Sequence, residues 1–461
     1  MEKFIIALLP IIVTLFIAFR IKNVFLALIS GIIVSSSILT FSSGDYFVGF
    51  NAVANVFQST SFAKTTFFIF STGALMSIVN KSGGVEGLIT YCTEKQKIVK
   101  SRLGAQLISF VLGLLLFVDG TSSIVVTALV GKPFFNKYDL PREKLALISN
   151  STGSAVAWLI PFGAAGAFLT GVLNNTLINI GVETNAFSIV VSSVFFHFYG
   201  IALFITIVVS ILFNIEIGSI KRVTNSYEES KVFEHQTSLP EGKKPLARNM
   251  VAPILILLTS IFTILYITGE GNLMLGDGST AVFVSGILTI FISGVYYMLQ
   301  GIVKLDDYVI WCFEGMKLLF EIILILVLAT AFSSLIGHLG TAGYLAQITN
   351  YVPKNVIIIA ALAVSVLISY STGSSGAAVA LLIPIIVPIA YSMQIPLQFV
   401  IGAIISGAVF GDQNSPISDS VILTSTVTNV KIMDHVKTQL PYTLIALGIS
   451  FIGFVLLGLF V

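Results

Sequence analysis

Long apolar runs recur along nearly the whole chain, each able to cross about 30 Å of hydrocarbon as a helix rising 1.5 Å per residue. In order they predict spans at about 4–19, 24–42 and 65–80, with a short amphipathic piece around Asp45–Gln58 before the third. After the basic segment Lys81–Arg102 the pattern changes. The apolar arm 103–118 is interrupted by DGTSS at 119–123 and resumes to about Val130. Each arm is short for a crossing, so 103–131 predicts a re-entrant hairpin whose polar tip is tolerable at depth only against protein or a water-filled cavity. Beyond the basic loop Lys132–Lys144, the apolar element 145–172 contains Ser149-Asn150-Ser151-Thr152-Gly153-Ser154, which predicts a broken helix, and a span at 187–213 follows.

A polar stretch at 214–248, with KR at 221–222 and KK at 243–244, reads as a linker too small for a soluble domain. The order then repeats: spans at about 250–268 and 281–299, an amphipathic piece at 305–316, a span at about 318–336, a hairpin at 355–390 with tip STGSS at 371–375, a broken helix at 397–430 and a last span at 441–460. The GVEG at 84–87 and GTAG at 340–343 precede the two hairpins, whose tips read GTSS at 120–123 and GSSG at 373–376. The expected fold is an all-α polytopic membrane protein of two repeats, 1–213 and 249–461, joined by the linker 214–248. A hairpin adds no net crossing, so each half crosses five times, and the odd number inverts the second half relative to the first. The total is about ten spans and two hairpins.

Composition agrees. Of 461 residues 56% are hydrophobic and only 10% charged, with a mean hydropathy of +0.99, far too little charge to cover a water-soluble surface. The first run resembles a signal peptide, but it lacks a small-residue cleavage site and leads into Arg20 and Lys22, which favours a retained span. With both termini outside the cytoplasmic membrane, only Lys3, Lys64 and Lys354 of the 24 lysines and arginines lie outside. That sidedness supports the parity of the topology. Cys92 and Cys312 have no CxxC or Cys/His spacing and read as free thiols. No DDxxD, HExxH, GxSxG or nucleotide-binding glycine loop is present, so no enzyme activity, cofactor or nucleic-acid partner is expected, and the partners are lipid and transported solutes.

The polar interruptions carry the candidate chemistry. In GDQNSPISD, Gly411–Asp419, two carboxylates, an amide and hydroxyls lie inside an apolar run, where each exposed to lipid would cost several kcal/mol. A helix unwound there frees carbonyls and aims half-helix ends at one spot, which makes a cation or substrate site; a kink packed for stability is the plainer reading. Hard oxygen ligands suit Na⁺. One cluster would be Asp119, Thr121, Ser122, Asn150, Ser151 and Thr152, and the other Thr372, Ser374, Ser375, Asp412, Asn414 and Ser415. Small-residue tips also serve close helix packing, although packing alone does not ask for Asp119. Asp419 either joins proton or cation exchange or sits at the start of a half-helix. Ser371, Gln413 and the flanking Tyr370 are placed to meet an organic substrate. His197 reads as a proton carrier or as a satisfied structural residue, and Glu314 and Glu321 mark an interface. A passive channel would instead show a continuous polar stripe along several helices.

The stretch GDQNSPISDSVILTS resembles the signature of the NhaC-type sodium/proton antiporter family, close to GDHxSPISDTTILSS, at Gly411, Asp412, Ser415, Pro416, Ile417, Ser418, Asp419, Ile422, Leu423 and Ser425. The resemblance implies inverted repeats with paired hairpins, a scaffold part and a moving transport part, often a dimer, and cation handling by Asp412, Ser415 and Asp419. The family histidine is Gln413 here, and an amide cannot titrate. The expected function is a secondary active transporter coupling Na⁺, as coupling ion, to H⁺ exchange; the alternative is a Na⁺-linked carrier of a small amino acid or carboxylate.

Overall fold

Every element among the described residues is a helix. The computed structural model describes residues 2–460 apart from 93–98, 100, 183, 223–237, 241, 274 and 341–351. The first half runs α1 (Glu2–Ile21), α2 (Val24–Ser43), short α3 (Val48–Val56), α4 (Thr60–Lys81) and α5 (Gly84–Thr90). It continues with the hairpin α6 (Arg102–Leu115) and α7 (Gly120–Lys137), and the broken element α8 (Arg142–Leu159) and α9 (Ala164–Asn179). A last crossing, α10 (Ala186–Ser193) and α11 (Phe198–Leu212), is jointed by a 3-10 turn at Val194–Phe196.

The second half repeats this order: α12 (Arg248–Thr268), α13 (Gly278–Leu299), α14 (Leu305–Leu318), α15 (Phe320–His338), the hairpin α16 (Lys354–Thr372) and α17 (Ser375–Ser392), the broken element α18 (Leu397–Asn414) and α19 (Asp419–Thr428), and α20 (Ile432–Gly458). The part of the second GTAG from Thr341 onward and residues 223–237 and 241 of the linker lie outside the described residues.

Packing between the halves is reciprocal. Helix α4 packs on α14 as α15 packs on α3; α4 meets α13 as α15 meets α2; and α9 lies on α17 as α19 lies on α7. Such exchange of partners is what a two-fold relation between inverted repeats produces. The chain is therefore an all-α polytopic membrane protein of two inverted repeats, each of five spans and a hairpin. Among the described residues ten helices are long and apolar enough to cross a membrane by length and composition, including both arms of the second hairpin. The arms α6 and α16 thus differ in reach, the first being the shorter.

The second hairpin and the second broken element are fused by small residues. A Cβ on Gly407 would stand 2.4 Å from the Leu362 carbonyl oxygen and one on Gly411 2.6 Å from that of Val366, so the backbones of α16 and α18 touch. Ser365 and Ser369 donate across the interface to the carbonyls of Ile404 and Ala408, each at 2.6 Å. In lipid this close approach with interhelical hydrogen bonds replaces the missing hydrophobic drive.

Two expectations are corrected. The first broken helix is not interrupted at Ser149–Ser154; that hexad is helical and buried within α8, and the break falls at Ile160–Gly163. The last span begins at Ile432 and not near 441, because Pro441 is accommodated inside α20.

Candidate functional site

Both breaks are made by the same bond. The residue before a proline is pushed out of the helical region by its ring, and Ile160 (φ −102°, ψ 114°) before Pro161 and Ser415 (φ −82°, ψ 123°) before Pro416 both take extended backbone. Each hairpin tip then seats on the break of its own half. A Cβ on Gly163 would lie 2.9 Å from the Val118 carbonyl oxygen, and one on Gly373 2.9 Å from that of Ile417. Gly373 also has φ +68°, a left-handed conformation that a glycine takes without strain.

Asp412, in the last turn of α18, is surrounded by donors. Its Oδ2 accepts from Ser375 Oγ at 2.8 Å and from the Ser375 N–H at 3.4 Å. Its Oδ1 accepts from Ser418 Oγ and, at 3.4 Å, from Ser420 Oγ. Ser375 opens α17 and Ser418 is the N-cap of α19, so the carboxylate stands where two helix N-termini converge. Their partial positive charges favour an anion there. The first half reaches this point too: the Trp158 indole N–H, from the last turn of α8, donates to Ser375 Oγ at 3.0 Å.

A second, uncharged network ties the halves one turn away. Fully buried Gln413 accepts at Oε1 from Tyr199 OH (2.5 Å) and donates from Nε2 to the Asn150 carbonyl (3.2 Å). Asn150 donates to Gln439 Oε1 at 3.1 Å, lies 3.2 Å from His435 Nε2, and accepts at Oδ1 from Ser154 Oγ at 2.9 Å. Gln439 in turn donates to the Gln413 carbonyl. Thr443 donates to Asn414 Oδ1 at 2.8 Å, and Asn414 donates to the Phe410 carbonyl at 2.8 Å.

The structure divides the residues singled out from the sequence. Ser375 and Asp412 meet directly, with Ser374 capping α17 and Ser415 donating to the Tyr370 carbonyl at 2.8 Å. Thr372 bonds back to Ile368, 2.8 Å away, while Ser371 is partly exposed and the Tyr370 side chain 48% exposed. Gln413 is committed at both ends of its amide and joins the halves; it does not face open space. Asp119 caps α7, accepting from Ser122 N (2.9 Å) and Ser122 Oγ (3.0 Å), and Thr121 beside it is exposed. No hydrogen bond among the described residues joins Asp119 to Asn150, Ser151 or Thr152, although the first tip packs on that stretch, a Cβ on Gly120 standing 2.9 Å from the Gly153 carbonyl oxygen. Thr152 bonds back to Ile148 at 2.8 Å, and Ser151 Oγ is buried without a partner. Asp419 is exposed at the first position of α19, and no hydrogen bond among the described residues links it to Asp412. His197 is buried at the α10–α11 joint with Nε2 3.3 Å from Ser193 Oγ, Glu314 pairs with Lys81, and Glu321 is exposed. Both cysteines are free.

Trp158, Tyr199, His435 and Gln439 were missed. A signal existed for the last two: with Thr443 they repeat at i, i+4 along α20, a polar stripe that the neighbouring Lys431, Asp434 and Lys437 disguise as a loop.

Comparison with known proteins follows the same lines. The profile of the Na⁺/H⁺ antiporter family matches residues 170–459. An uncharacterized protein of Haemophilus influenzae is 25% identical across 98% of this chain and 90% of its own. The malate-2H⁺/Na⁺-lactate antiporter of Bacillus subtilis is 32% identical over 37% of each chain, so the match spans little more than a third of that relative. The YdaH transporter of Alcanivorax borkumensis has a similar fold, with a TM-score of 0.63 at 14% identity over 88% of this chain and 86% of that one.

Proposed function

The chain belongs to the Na⁺/H⁺ antiporter family, and from that premise we propose that it couples Na⁺ to the movement of H⁺ by alternating access, with Asp412 as the group that holds either ion. It is a multi-pass membrane protein and a secondary transporter. What supports the finer reading is the setting of Asp412: one carboxylate, three serine hydroxyls and two helix N-termini where the inverted halves meet. A carboxylate takes Na⁺ or H⁺ and not both, so a single site suffices for exchange. Ser375, Ser418 and Ser420 turn lone pairs toward Na⁺ in place of its water, and return their hydrogens to the carboxylate when it leaves.

The two hairpins and two broken elements form the moving part on this reading, because each tip is seated on its own break; α1–α4 and α12–α15 form the scaffold. On the same reading the termini lie outside the cytoplasmic membrane, which the lysine and arginine sidedness supports, and the scaffold faces serve a homodimer.

A second reading, a Na⁺-linked carrier of a small carboxylate or amino acid, is favoured by Gln413. No proton can be carried at that position, and the Bacillus relative is named for malate and lactate as well as for Na⁺ and H⁺. Purified protein in liposomes decides between them. An imposed Na⁺ gradient that drives lumenal pH change without added solute supports exchange for H⁺. Na⁺-dependent accumulation of a labelled carboxylate or amino acid with no such pH change supports the second. Neither signal would refute both.

A further inference from the structure

Ser375 Oγ has one hydrogen and two lone pairs. The hydrogen goes to Asp412 Oδ2 at 2.8 Å, and one lone pair accepts the Trp158 indole N–H at 3.0 Å. Trp158 closes α8 beside the first break, while Ser375 opens α17 beside the second tip, so this one side chain ties the first half to the cation-holding carboxylate of the second. A cation on Asp412 needs a lone pair from the same serine oxygen.

We propose that Trp158 is a positioning residue for the Asp412 site: its N–H sets the Ser375 hydroxyl toward the empty carboxylate, and its rearrangement when a monovalent cation binds reports occupancy to the first broken helix. The proposal rests on Asp412 being the cation-holding group. The indole competes with the cation in two ways, by drawing on the electron density of the Ser375 oxygen and by presenting the positive end of its N–H dipole. Removing that N–H leaves a better cation ligand and a broken tie. Trp158→Phe therefore lowers the KM for Na⁺ by about three- to tenfold, the equivalent of one neutral hydrogen bond, and lowers kcat because α8 no longer follows the second tip.

The chain has only two tryptophans, so emission is a direct probe in the wild type. Na⁺ titrated into purified protein, with choline as the control cation, is expected to change tryptophan emission along the same curve as radiolabelled Na⁺ binding, and Trp158→Phe to lose that change. In a Ser375→Ala background the Trp158→Phe effect on Na⁺ affinity should vanish, since the indole then has no hydroxyl to set. Radiolabelled Na⁺ retained by the wild type with unaltered emission overturns the role of Trp158 and leaves the Asp412 site standing. So does a Trp158→Phe effect of equal size with and without Ser375, which would mark packing alone. Absence of Na⁺ binding in the wild type overturns the site itself, and the inference with it.

Discussion

Asp412→Asn separates the charge of the site from its shape. The asparagine oxygen takes the place of Oδ1 and keeps the hydrogen bonds from Ser418 and Ser420, and its NH₂ faces Ser375. Ser375 Oγ, with a lone pair still free, turns to accept, so the substitution forfeits the long 3.4 Å hydrogen bond from the Ser375 N–H and takes away the acceptor of the Ser375 hydroxyl hydrogen. Together these cost about 1–3 kcal/mol. The effect on Na⁺ is larger. Unit charges about 4 Å apart at an effective dielectric near 20 attract by about 4 kcal/mol, roughly a thousandfold in affinity. Binding is therefore expected to disappear from the millimolar range while the fold survives. Asp419→Asn is the matched comparison: exposed in the first turn of α19, it should cost under about 1 kcal/mol of helix-terminus stabilisation and leave Na⁺ affinity within about threefold. Radiolabelled Na⁺ binding and Na⁺-driven flux in liposomes read the first quantity, and thermal unfolding in detergent the second. An Asp412→Asn protein that binds Na⁺ within tenfold of the wild type refutes the reasoning, as does an Asp419→Asn protein equally impaired.

Gly373→Ala should unseat the second tip: its φ of +68° disfavours a side chain, and the Cβ would meet Ile417 O at 2.9 Å and Ser418 N at 3.0 Å, together about 2–4 kcal/mol, seen as a lower unfolding temperature and weaker Na⁺ binding. Gln413→His puts an imidazole between Tyr199 and Asn150; transport should gain a pH dependence that the amide cannot supply, and a pH profile superimposable on the wild type would count against a coupling role for this position. Lys144, fully buried at the start of α8, lies 3.7 Å from Glu216 and 5.1 Å from the centre of the Tyr442 ring. Glu216→Gln should destabilise by about 2–3 kcal/mol, less than for a fully enclosed pair because Glu216 reaches solvent, and adding Lys144→Met should recover most of it; a double variant as unstable as the sum of the singles would argue against a direct pair.

Repeat order, hairpins and the second break were legible because polar residues in an apolar run have few places to go. Pro416 sits among them, so the polar signal and the true cause of the break coincide. In the first broken element they do not. Ser149–Ser154 looks like an interruption, yet an intact helix carries it: Thr152 bonds to its own preceding turn, Ser154 to Asn150 and Asn150 across to α20, while the Ser149 and Ser151 hydroxyls are buried without a partner. The actual break, Ile160-Pro161-Phe162-Gly163, is apolar and passes for helix unless the proline is weighed more than hydropathy. Asp412 was found for its charge; Trp158 was not, since an indole in an apolar run looks like packing until its N–H is seen to have a partner.

The halves repeat in architecture but not in charge, and the difference has a mechanistic consequence. The second half places Asp412 against its tip, whereas the carboxylate of the first half, Asp119, is turned into a helix cap. What the first half offers the site is neutral: an indole N–H from Trp158 and, a turn away, the Asn150 carbonyl. On the proposed reading the Asp412 site then carries one negative charge when empty and none when Asp412 holds Na⁺ or H⁺. Carrying a bare carboxylate through a low-dielectric barrier is costly by several kcal/mol, so the empty carrier stays where it is and the loaded one crosses. Exchange in place of leak follows from that difference alone. A second carboxylate brought to the same point would remove it, because one bound cation would no longer neutralise the site.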